Sequence, residues 1–489
     1  MNDIKKNVRN VMIVFLFCLI GLISYIAYFQ AFKAPEIAEK PGNQRLWIER
    51  NKVLRGTIYD RDGKPLTKTS KESATTQKRE YIYGDLYAHP LGYASNRFGI
   101  TGLEEAYDKE LTTYNEVTTG LKTLMKDFST EGFKKAFDDR DKTQKKIGNG
   151  VVTTLNTNLQ QVAYDALGDS RGAVVAINPK NGEVLAMVSK PSFNPNKLDS
   201  EMAKANKGSA ENSPLINRAI NGLYPPGSVF KIITTASALD NIPGVQNKTW
   251  NDTGVIKFKD GKNLNNDSNE ANGNINLNQA FVASSNFVYG NLAMDLGKDL
   301  KNTAEKFGFN QKVPSDGFSI TPSKYPKDEQ VLGDLARSGI GQSSILATPM
   351  QMALVGCAVA NNGVIMEPTL VSKVVNANKE TVKTIKPEEY KKVMSESDAK
   401  TIKGYMRDLV QSREDGSWSY FNGLDVAGKT GTADHNNPDG SPAKPHSWFV
   451  GMAPANDPQI VVAVIAENSG YGAIKAASVA GKVINAALR

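Results

Sequence analysis

The apolar pattern opens with a segment unlike the rest of the chain. Residues 11–29 read VMIVFLFCLIGLISYIAYF, without a charged residue. At about 1.5 Å per residue, such a helix nearly spans a hydrocarbon core of about 30 Å. Lys5, Lys6 and Arg9 precede it, so the positive-inside rule places residues 1–10 in the cytoplasm and the rest of the chain outside. Its length and the bulky residues after it favour an uncleaved membrane anchor over a cleaved signal peptide.

Short runs of mixed character follow the anchor over residues 30–150. Residues 57–59, TIY, read as a strand that ends at the turn DRDG, and residues 102–111, GLEEAYDKEL, read as a charged helix. The end of the region is polar, with weak helical patterning near 133–137. We therefore expect a small α+β module and a linker to the next domain.

From residue 151 the pattern becomes that of a larger domain. Strand-like runs stand at both of its ends, and a long, mainly helical stretch lies between them. This order predicts an α+β fold in which helices cover an antiparallel sheet, with a cleft where the helical part meets the sheet. The predicted elements are a helix at 158–167, a hairpin at 172–189, strands at 446–452 and 459–466, and a helix at 473–488.

Composition and charge narrow the function classes. The 489 residues are 40% hydrophobic and 22% charged, which suits about three globular domains at most. The net charge of +8 comes from scattered Lys and Arg, without the basic and aromatic face of a nucleic-acid binder. Two distant cysteines, three histidines and the lack of HExxH or CxxC spacing argue against a zinc or iron enzyme. No metal or other cofactor is expected.

The first candidate motif is YPPGSVFK at residues 224–231. Its prolines and glycine bar an earlier helix, which puts Ser228 in the first helical turn. Lys231 lies three residues on, so the two side chains share a face, as a hydroxyl and its proton acceptor require. Burial and the positive end of the helix dipole would lower the pKa of this lysine. Taken alone, the pattern also fits a capping serine and a surface lysine.

The second motif is Ser284-Ser285-Asn286. Apolar positions at 277, 280 and 281 predict a helix capped by Asn276, and the motif forms the end of that helix. Ser284 could relay a proton there, and Asn286 could donate to a peptide carbonyl or accept from an amide. Taken alone, these residues are explained more simply by ordinary turn chemistry.

The third motif is DVAGKTGTA at residues 425–433. Residues 423–430 satisfy the phosphate-loop pattern GxxxxGK[ST], but the GTADHNNPDG that follows is full of helix breakers, which argues against a nucleotide site. In a strand, Lys429 and Gly431 point to one face, so the missing side chain at Gly431 would let a substrate backbone lie beside a fixed positive charge. Lys429, helped by Thr430 or Thr432, suits a carboxylate.

The ordered set SxxK, SxN and KTG is more specific than any of its parts and characterises penicillin-binding proteins and class A β-lactamases. With the anchor, GLEEAYDKEL, the hairpin, RGTIYDRDG at 55–63 and GIGQSSILATPMQMA at 339–353, nearly the whole chain resembles the membrane-anchored class B penicillin-binding proteins. The resemblance implies a pedestal and linker at 30–150 and a penicillin-binding transpeptidase domain at 151–489.

The resemblance also implies a reaction. Ser228 would attack the D-Ala–D-Ala bond of a peptidoglycan stem peptide, release D-Ala and pass the acyl group to an amine of a neighbouring strand. Lys231 would be the base in acylation and Ser284 part of the proton relay, while the N–H groups of Ser228 and Thr432 would form the oxyanion hole. β-Lactams would acylate the same serine. The implied setting is the bacterial cell membrane, with a membrane glycosyltransferase as a partner.

The remaining motif residues would bind the substrate. Asn286 would orient the donor stem peptide, and Lys429 would hold the terminal carboxylate on the strand. The residues that this implies as the carboxylate-binding set are Lys429, Thr430, Gly431 and Thr432.

Other functions stay open at this point. A D,D-carboxypeptidase would use water as the acceptor, and a β-lactamase would need a water activated for deacylation, for which class A enzymes use a glutamate that cannot be placed in this sequence. A non-catalytic scaffold of wall assembly, working through the anchor and pedestal, is the third alternative.

Overall fold

The first described element is a long helix that is exposed over residues 6–33. The computed structural model describes residues 2–34, 44–73, 75–114, 146–208, 212–259, 262–327, 331–413, 418–437 and 439–489. The helix Asn2–Tyr28 continues through a wider turn at Phe29–Lys33, and its large apolar side chains are exposed. Within the described ranges it is the one helix long and apolar enough to cross a membrane, which agrees with the predicted anchor.

A region of short elements follows the anchor helix. The predicted strand at 57–59 is present as Ile58–Tyr59, and the turn after it closes through a hydrogen bond from Asp60 N to Lys64 O. The other short elements are the helices Gln44–Arg50, Ala88–Leu91, Gly102–Ala106 and Asp108–Thr112 and the strands Thr67–Lys71, Gln77–Tyr81, Ala94–Ser95 and Gly99–Ile100.

The prediction of one helix at 102–111 is wrong in one respect. The structure has two short helices there, with Tyr107 between them. Tyr107 has φ −115°, outside the helical range, and its ring is buried. Its hydroxyl donates to Asp316 at 2.8 Å, so the break lets this side chain tie the region to the larger part of the chain. The pattern predicted at 133–137 lies outside the described residues.

A four-stranded sheet also joins the two parts of the chain. Ile58–Tyr59 pairs in parallel with Gly150–Thr153, which pairs antiparallel with Val371–Val375. Thr381–Thr384 completes the sheet. Residues on either side of position 150 therefore share one hydrogen-bonded layer.

The main sheet has five antiparallel strands, which are in chain order β1 Gly172–Ile177, β2 Val184–Lys190, β3 Ala427–Ala433, β4 His446–Ala453 and β5 Ile460–Ala466. Their order in the sheet is β3-β4-β5-β1-β2. The sequence of β5, IVVAVIA, is apolar at every position, as expected of a central strand covered on both faces. The predicted hairpin at 172–189 and the two late strands are confirmed.

Helices cover both faces of this sheet. Thr157–Leu167 and Lys475–Leu488 pack against each other on one face, and Pro349–Ala360 packs on the other with Glu396–Gln411 beside it. Lys231–Asn241 packs against Glu396–Gln411. The predicted α+β fold is thus confirmed. The other α-helices among the described residues are Leu198–Lys207, Arg218–Asn221, Leu277–Val282, Asn286–Leu296, Lys298–Lys306 and Leu332–Ser338. The paired short strands that accompany them are Thr249–Asp252 with Gly273–Asn276, Val255–Ile256 with Leu264–Asn265, and Val364–Met366 with Glu389–Lys392.

Candidate active site

Ser228 lies in a tight turn that leads into a helix. Gly227–Phe230 forms a single 3₁₀ turn, and the α-helix Lys231–Asn241 begins only after it, slightly later than predicted. The two prolines before the turn cannot donate backbone hydrogen bonds and so bar an earlier start. Ser228 is half-buried and lines a cleft of about 370 Å³ together with Asn286, Thr432 and Gln342.

Backbone contacts hold this turn against the edge of the sheet. Gly227 N donates to Gly341 O at 2.9 Å, and the Trp448 indole N–H donates to Pro225 O at 3.0 Å. Gly227 has φ +56°, and a Cβ on it would lie 2.7 Å from Thr432 O, so only glycine fits there. The turn that carries Ser228 is therefore positioned by β3 and β4 without help from the serine side chain.

Lys231 opens the helix and is completely buried. Its Nζ donates to Ser284 O at 2.5 Å, to Ser284 Oγ at 3.1 Å and to Asn286 Oδ1 at 2.8 Å. Within the described part of the chain, no hydrogen bond joins Lys231 to Ser228. The structure thus places both residues on one turn, as predicted, while the lysine amine faces the second motif.

The second motif is a junction between two helices and not the end of one. Asn276 caps the helix Leu277–Val282, as predicted, and the next helix begins at Asn286 with Ser285 as its cap. Ser285 N donates to Ala280 O at 2.9 Å and Ser284 has φ +55°, which is the hydrogen bond and the left-handed residue of a Schellman motif. Ser284 therefore occupies a position where glycine is usual.

Replacing Ser284 by Gly or by Ala separates its hydroxyl from its backbone. Both changes remove Oγ, but only Gly also removes the Cβ that disfavours a left-handed residue. We expect Ser284→Gly to be more stable than Ser284→Ala by about 1 kcal/mol in free energy of unfolding, with acylation impaired in both. Denaturant unfolding of the two variants measures the difference. Equal stabilities would contradict the left-handed backbone.

Asn286 has both ends of its carboxamide engaged. Its Nδ2 donates to Asn265 O at 2.8 Å, and its Oδ1 accepts from Lys231 Nζ. Because the backbone carbonyl of Asn265 takes the amide hydrogens, the oxygen must turn towards the lysine. This orientation is set by a segment that the motif itself does not contain.

The third motif lies on β3, the edge strand of the main sheet. Lys429 is in mid-strand and completely buried, and its Nζ donates to Ser284 Oγ at 2.9 Å and lies 5.5 Å from the Phe281 ring centroid. No helix starts at Lys429, which removes the phosphate-loop reading. Thr430 and Thr432 are half-buried. They alternate with Lys429 along the strand and so belong to its other face.

The interpretation given above for Gly431 does not match its surroundings. A Cβ on Gly431 would lie 3.0 Å from Pro226 O and 3.1 Å from Val229 Cγ1. The space that a side chain would need is thus occupied by the turn around Ser228, not left open for a substrate backbone. Glycine here allows β3 and the Ser228 turn to approach each other.

Burial lowers the pKa of both lysines. For Lys231 the pKa falls well below its ordinary value, first through burial and then through the charge of Lys429, and Asp252 opposes this. For Lys429 burial and the charge of Arg413 lower the pKa to about 7. Both shifts favour loss of a proton, so the pair is suited to one neutral amine that acts as a base and one ammonium that holds an anion.

The motifs do not include every residue that shapes the site. Asp252 accepts a hydrogen bond from Ser285 Oγ at 2.7 Å, and Asn266 Oδ1 accepts one from Phe287 N at 2.9 Å. Both lie in the Asn-rich loop region before the second motif, where the sequence signals turns only. Among the described residues, no cluster of three or more His, Cys, Asp or Glu side chains is arranged to hold a metal ion.

Comparison with known families agrees with this geometry. The family described as penicillin binding protein transpeptidase domain matches residues 172–485, and the penicillin binding protein A dimerisation domain matches residues 55–132. The peptidoglycan D,D-transpeptidase PbpA of Mycolicibacterium smegmatis is 33% identical over 482 residues, and the alignment covers 94% of each chain.

Solved structures resemble the chain over most of its length. The D,D-transpeptidase domain of a peptidoglycan glycosyltransferase from Eggerthella lenta is 34% identical, with a TM-score of 0.75 over 89% of this chain and 98% of that one. Penicillin-binding protein A from M. tuberculosis, in a ceftriaxone acyl-enzyme complex, is 27% identical, with a TM-score of 0.79 over 90% of this chain and 100% of that one. The chain therefore belongs to the class B penicillin-binding proteins.

Proposed function

We propose that this chain is a serine D,D-transpeptidase that cross-links peptidoglycan stem peptides through an acyl-enzyme on Ser228. The observation that carries the proposal is the convergence of two buried amines on one hydroxyl beside the Ser228 cleft. Lys231 Nζ lies 3.1 Å and Lys429 Nζ 2.9 Å from Ser284 Oγ. The relatives of similar length are named peptidoglycan D,D-transpeptidases, which supports the same reaction.

The proposed reaction has two balanced steps. Ser228 Oγ attacks the carbonyl carbon of the penultimate D-Ala, its proton passes to Lys231, and the terminal D-Ala leaves as an amine that takes up a proton. An amine of a neighbouring stem peptide then attacks the ester and forms the new amide. It loses one of its own protons, which passes through Lys231 to the departing Ser228 Oγ and restores the hydroxyl. The backbone N–H groups of Ser228 and Thr432 stabilise the oxyanion in both steps.

Lys231 donates three hydrogen bonds, and it could keep two of them as a neutral amine. A neutral amine has two N–H groups and one lone pair. A neutral Lys231 would keep its two N–H groups on the carbonyl oxygens Ser284 O and Asn286 Oδ1. It would give up the longest of the three donated bonds, that to Ser284 Oγ at 3.1 Å, so that its lone pair could accept the Ser228 proton. A lone pair on Ser284 Oγ then accepts from the Lys429 ammonium. Ser284 can in this way pass a proton between the base and the leaving group.

The third motif supplies the proposed anchor for the substrate. A substrate that lies along β3 would bring its terminal carboxylate to the charge of Lys429 and to the hydroxyls of Thr430 and Thr432. Asn286 would then orient the stem peptide from the other side of the cleft.

The proposed setting is the bacterial cell membrane. The apolar helix would cross it once, with residues 1–10 in the cytoplasm and the remainder of the chain outside. Residues 30–150 would form the pedestal and linker, and residues 151–489 the transpeptidase domain. A membrane glycosyltransferase that makes the glycan strands is the proposed partner, because cross-linking acts on its product.

Intact mass spectrometry after incubation with benzylpenicillin tests the proposal. We expect the detergent-solubilised full chain to form one persistent adduct, and a D-Ala–D-Ala pentapeptide with an added amine acceptor to yield the transpeptidation product and free D-Ala. An adduct that disappears within seconds would favour a β-lactamase. Hydrolysed product in spite of the amine would favour a D,D-carboxypeptidase, and no adduct at all would favour the scaffold.

A further inference from the structure

A buried carboxylate lies behind the second motif. Asp252 ends the strand Thr249–Asp252 and is 1% exposed. It accepts hydrogen bonds from Gly254 N at 2.8 Å, Asn266 Nδ2 at 2.9 Å, Asn272 Nδ2 at 2.6 Å and Ser285 Oγ at 2.7 Å. Burial acts to raise the pKa of Asp252, but these hydrogen bonds outweigh it and lower that pKa. The group is therefore an anion at neutral pH.

The contact with Ser285 fixes the turn that carries the second motif. Ser285 Oγ donates to Asp252 and accepts from Val288 N at 3.0 Å, so the side chain caps the helix Asn286–Leu296. A hydroxyl has one proton. Because that proton goes to Asp252, a lone pair of Ser285 is left to face the helix N–H.

A second contact runs from the same carboxylate to the next residue of the helix. Asn266 Nδ2 donates to Asp252, and Asn266 Oδ1 accepts from Phe287 N at 2.9 Å. The neighbouring carbonyl, Asn265 O, accepts from Asn286 Nδ2. Asp252 thus contacts Ser285, the residue before Asn286, directly and contacts Phe287, the residue after it, through Asn266.

The turn needs such support because its backbone is strained. Ser284 is a non-glycine residue with φ +55°, and such residues persist only where their surroundings hold them. We infer that Asp252 is a positioning residue for the proposed acyl transfer, whose carboxylate fixes the turn that presents the second motif to Lys231. This inference rests on the proposed function.

Acylation kinetics of four full-length proteins test it: wild type, Asp252→Asn, Ser285→Ala and the double variant. Saturation with benzylpenicillin separates the acylation rate constant k2 from the dissociation constant Ks. We expect each single change to lower k2 on the order of 10- to 100-fold with Ks within about twofold, because a misplaced catalytic group slows chemistry more than binding. If Asp252 acts through Ser285, the double variant is no slower than the slower single variant.

Several outcomes would overturn the inference. These are an unchanged k2 in Asp252→Asn, losses that multiply in the double variant, or a change confined to Ks. If Asp252→Asn fails to fold, Ser285→Ala carries the test alone, since it removes the contact to Asp252 together with the cap on Val288 N. If wild type itself forms no adduct, the proposed function fails, whereas an acylated wild type matched by Asp252→Asn removes only the positioning role.

Asp60 offers a matched control. It is also a buried carboxylate, and it accepts hydrogen bonds from Asp62 N at 3.0 Å, Lys64 N at 2.8 Å and Thr157 Oγ1 at 2.5 Å. It lies, however, in the turn after the strand Ile58–Tyr59. We expect Asp60→Asn to lower Tm and to leave k2 of the folded protein unchanged. A loss of k2 as large as that of Asp252→Asn would make the effect a general consequence of lost stability and would overturn the inference.

Discussion

Replacing Ser228 by Ala abolishes acylation by benzylpenicillin and release of D-Ala, while the protein stays folded. Without Oγ no ester can form, and we expect a loss of at least about 10⁴-fold. The turn is held by backbone contacts at Gly227 and Pro225, and Ser228 itself is half-buried. We therefore expect a change within about 0.5 kcal/mol in free energy of unfolding.

Intact mass and thermal unfolding, measured on the same preparation, check this result. Ser344→Ala is the control, because Ser344 is an exposed serine in the segment at 339–353, next to Ser343 at the wall of the cleft. We expect it to be acylated like wild type. An adduct on Ser228→Ala would place the nucleophile elsewhere, and a large fall in Tm would mean that the hydroxyl supports the fold.

Much of the fold follows from periodicity alone. The run IVVAVIA of β5 is apolar at every position, because the strand lies in the middle of the sheet and helices cover both of its faces. The hairpin β1–β2 could be located from its NPKNG turn, since such residues favour the required backbone. The exposed apolar helix at the N-terminus needs only its length and its lack of charge.

Other parts of the fold depend on contacts between distant residues. Residues 102–111 have helical composition throughout, yet the chain breaks at Tyr107, whose hydroxyl bonds Asp316 more than two hundred positions away. The pairing of Gly150–Thr153 with Val371–Val375 is equally long-range. Local patterns carry no information on such partners.

The candidate site likewise has features that follow from the local sequence and others that depend on tertiary packing. Local chemistry places Ser228 and Lys231 on one turn and Lys429 in a strand, so the sequence alone could predict the elements that carry these three candidates. Their convergence on Ser284 depends on the tertiary packing of the helices against β3. The left-handed backbone of Ser284 could not be predicted, because glycine and not serine signals that conformation.

Gly431 and Asp252 show why the sequence does not predict which residues pack against each other. Gly431 looked like an opening for a substrate, but the turn at Pro226 fills that space, and only the folded chain reveals which segment approaches a glycine. Asp252 stands in an Asn-rich stretch that signals turns, more than thirty positions before the serine that it bonds. A buried anion there follows from four donors that the fold brings together.

Replacing Lys429 by Ala acts mainly on substrate binding. Its effect on Ks is to be compared with the effect of replacing the proposed base, Lys231, on k2. We expect Ks for benzylpenicillin, which carries a carboxylate, to rise more than k2 falls. In wild type, Ks should rise as pH increases through about 7, because burial and Arg413 lower the pKa of Lys429 to that value and the ammonium is lost above it. Lys429→Ala should lack this rise.

Replacing Lys231 by Ala lowers k2 by about 10²- to 10⁴-fold, the range expected when a general base is lost, and leaves Ks nearly unchanged. Lys231 is completely buried and bonds only groups of the second motif among the described residues, so a bound substrate gains little from its charge. Its lowered pKa leaves an amine that can take the Ser228 proton. Saturation kinetics of both lysine variants decide the matter: a change in Ks for Lys231→Ala together with a change in k2 for Lys429→Ala would exchange the two roles.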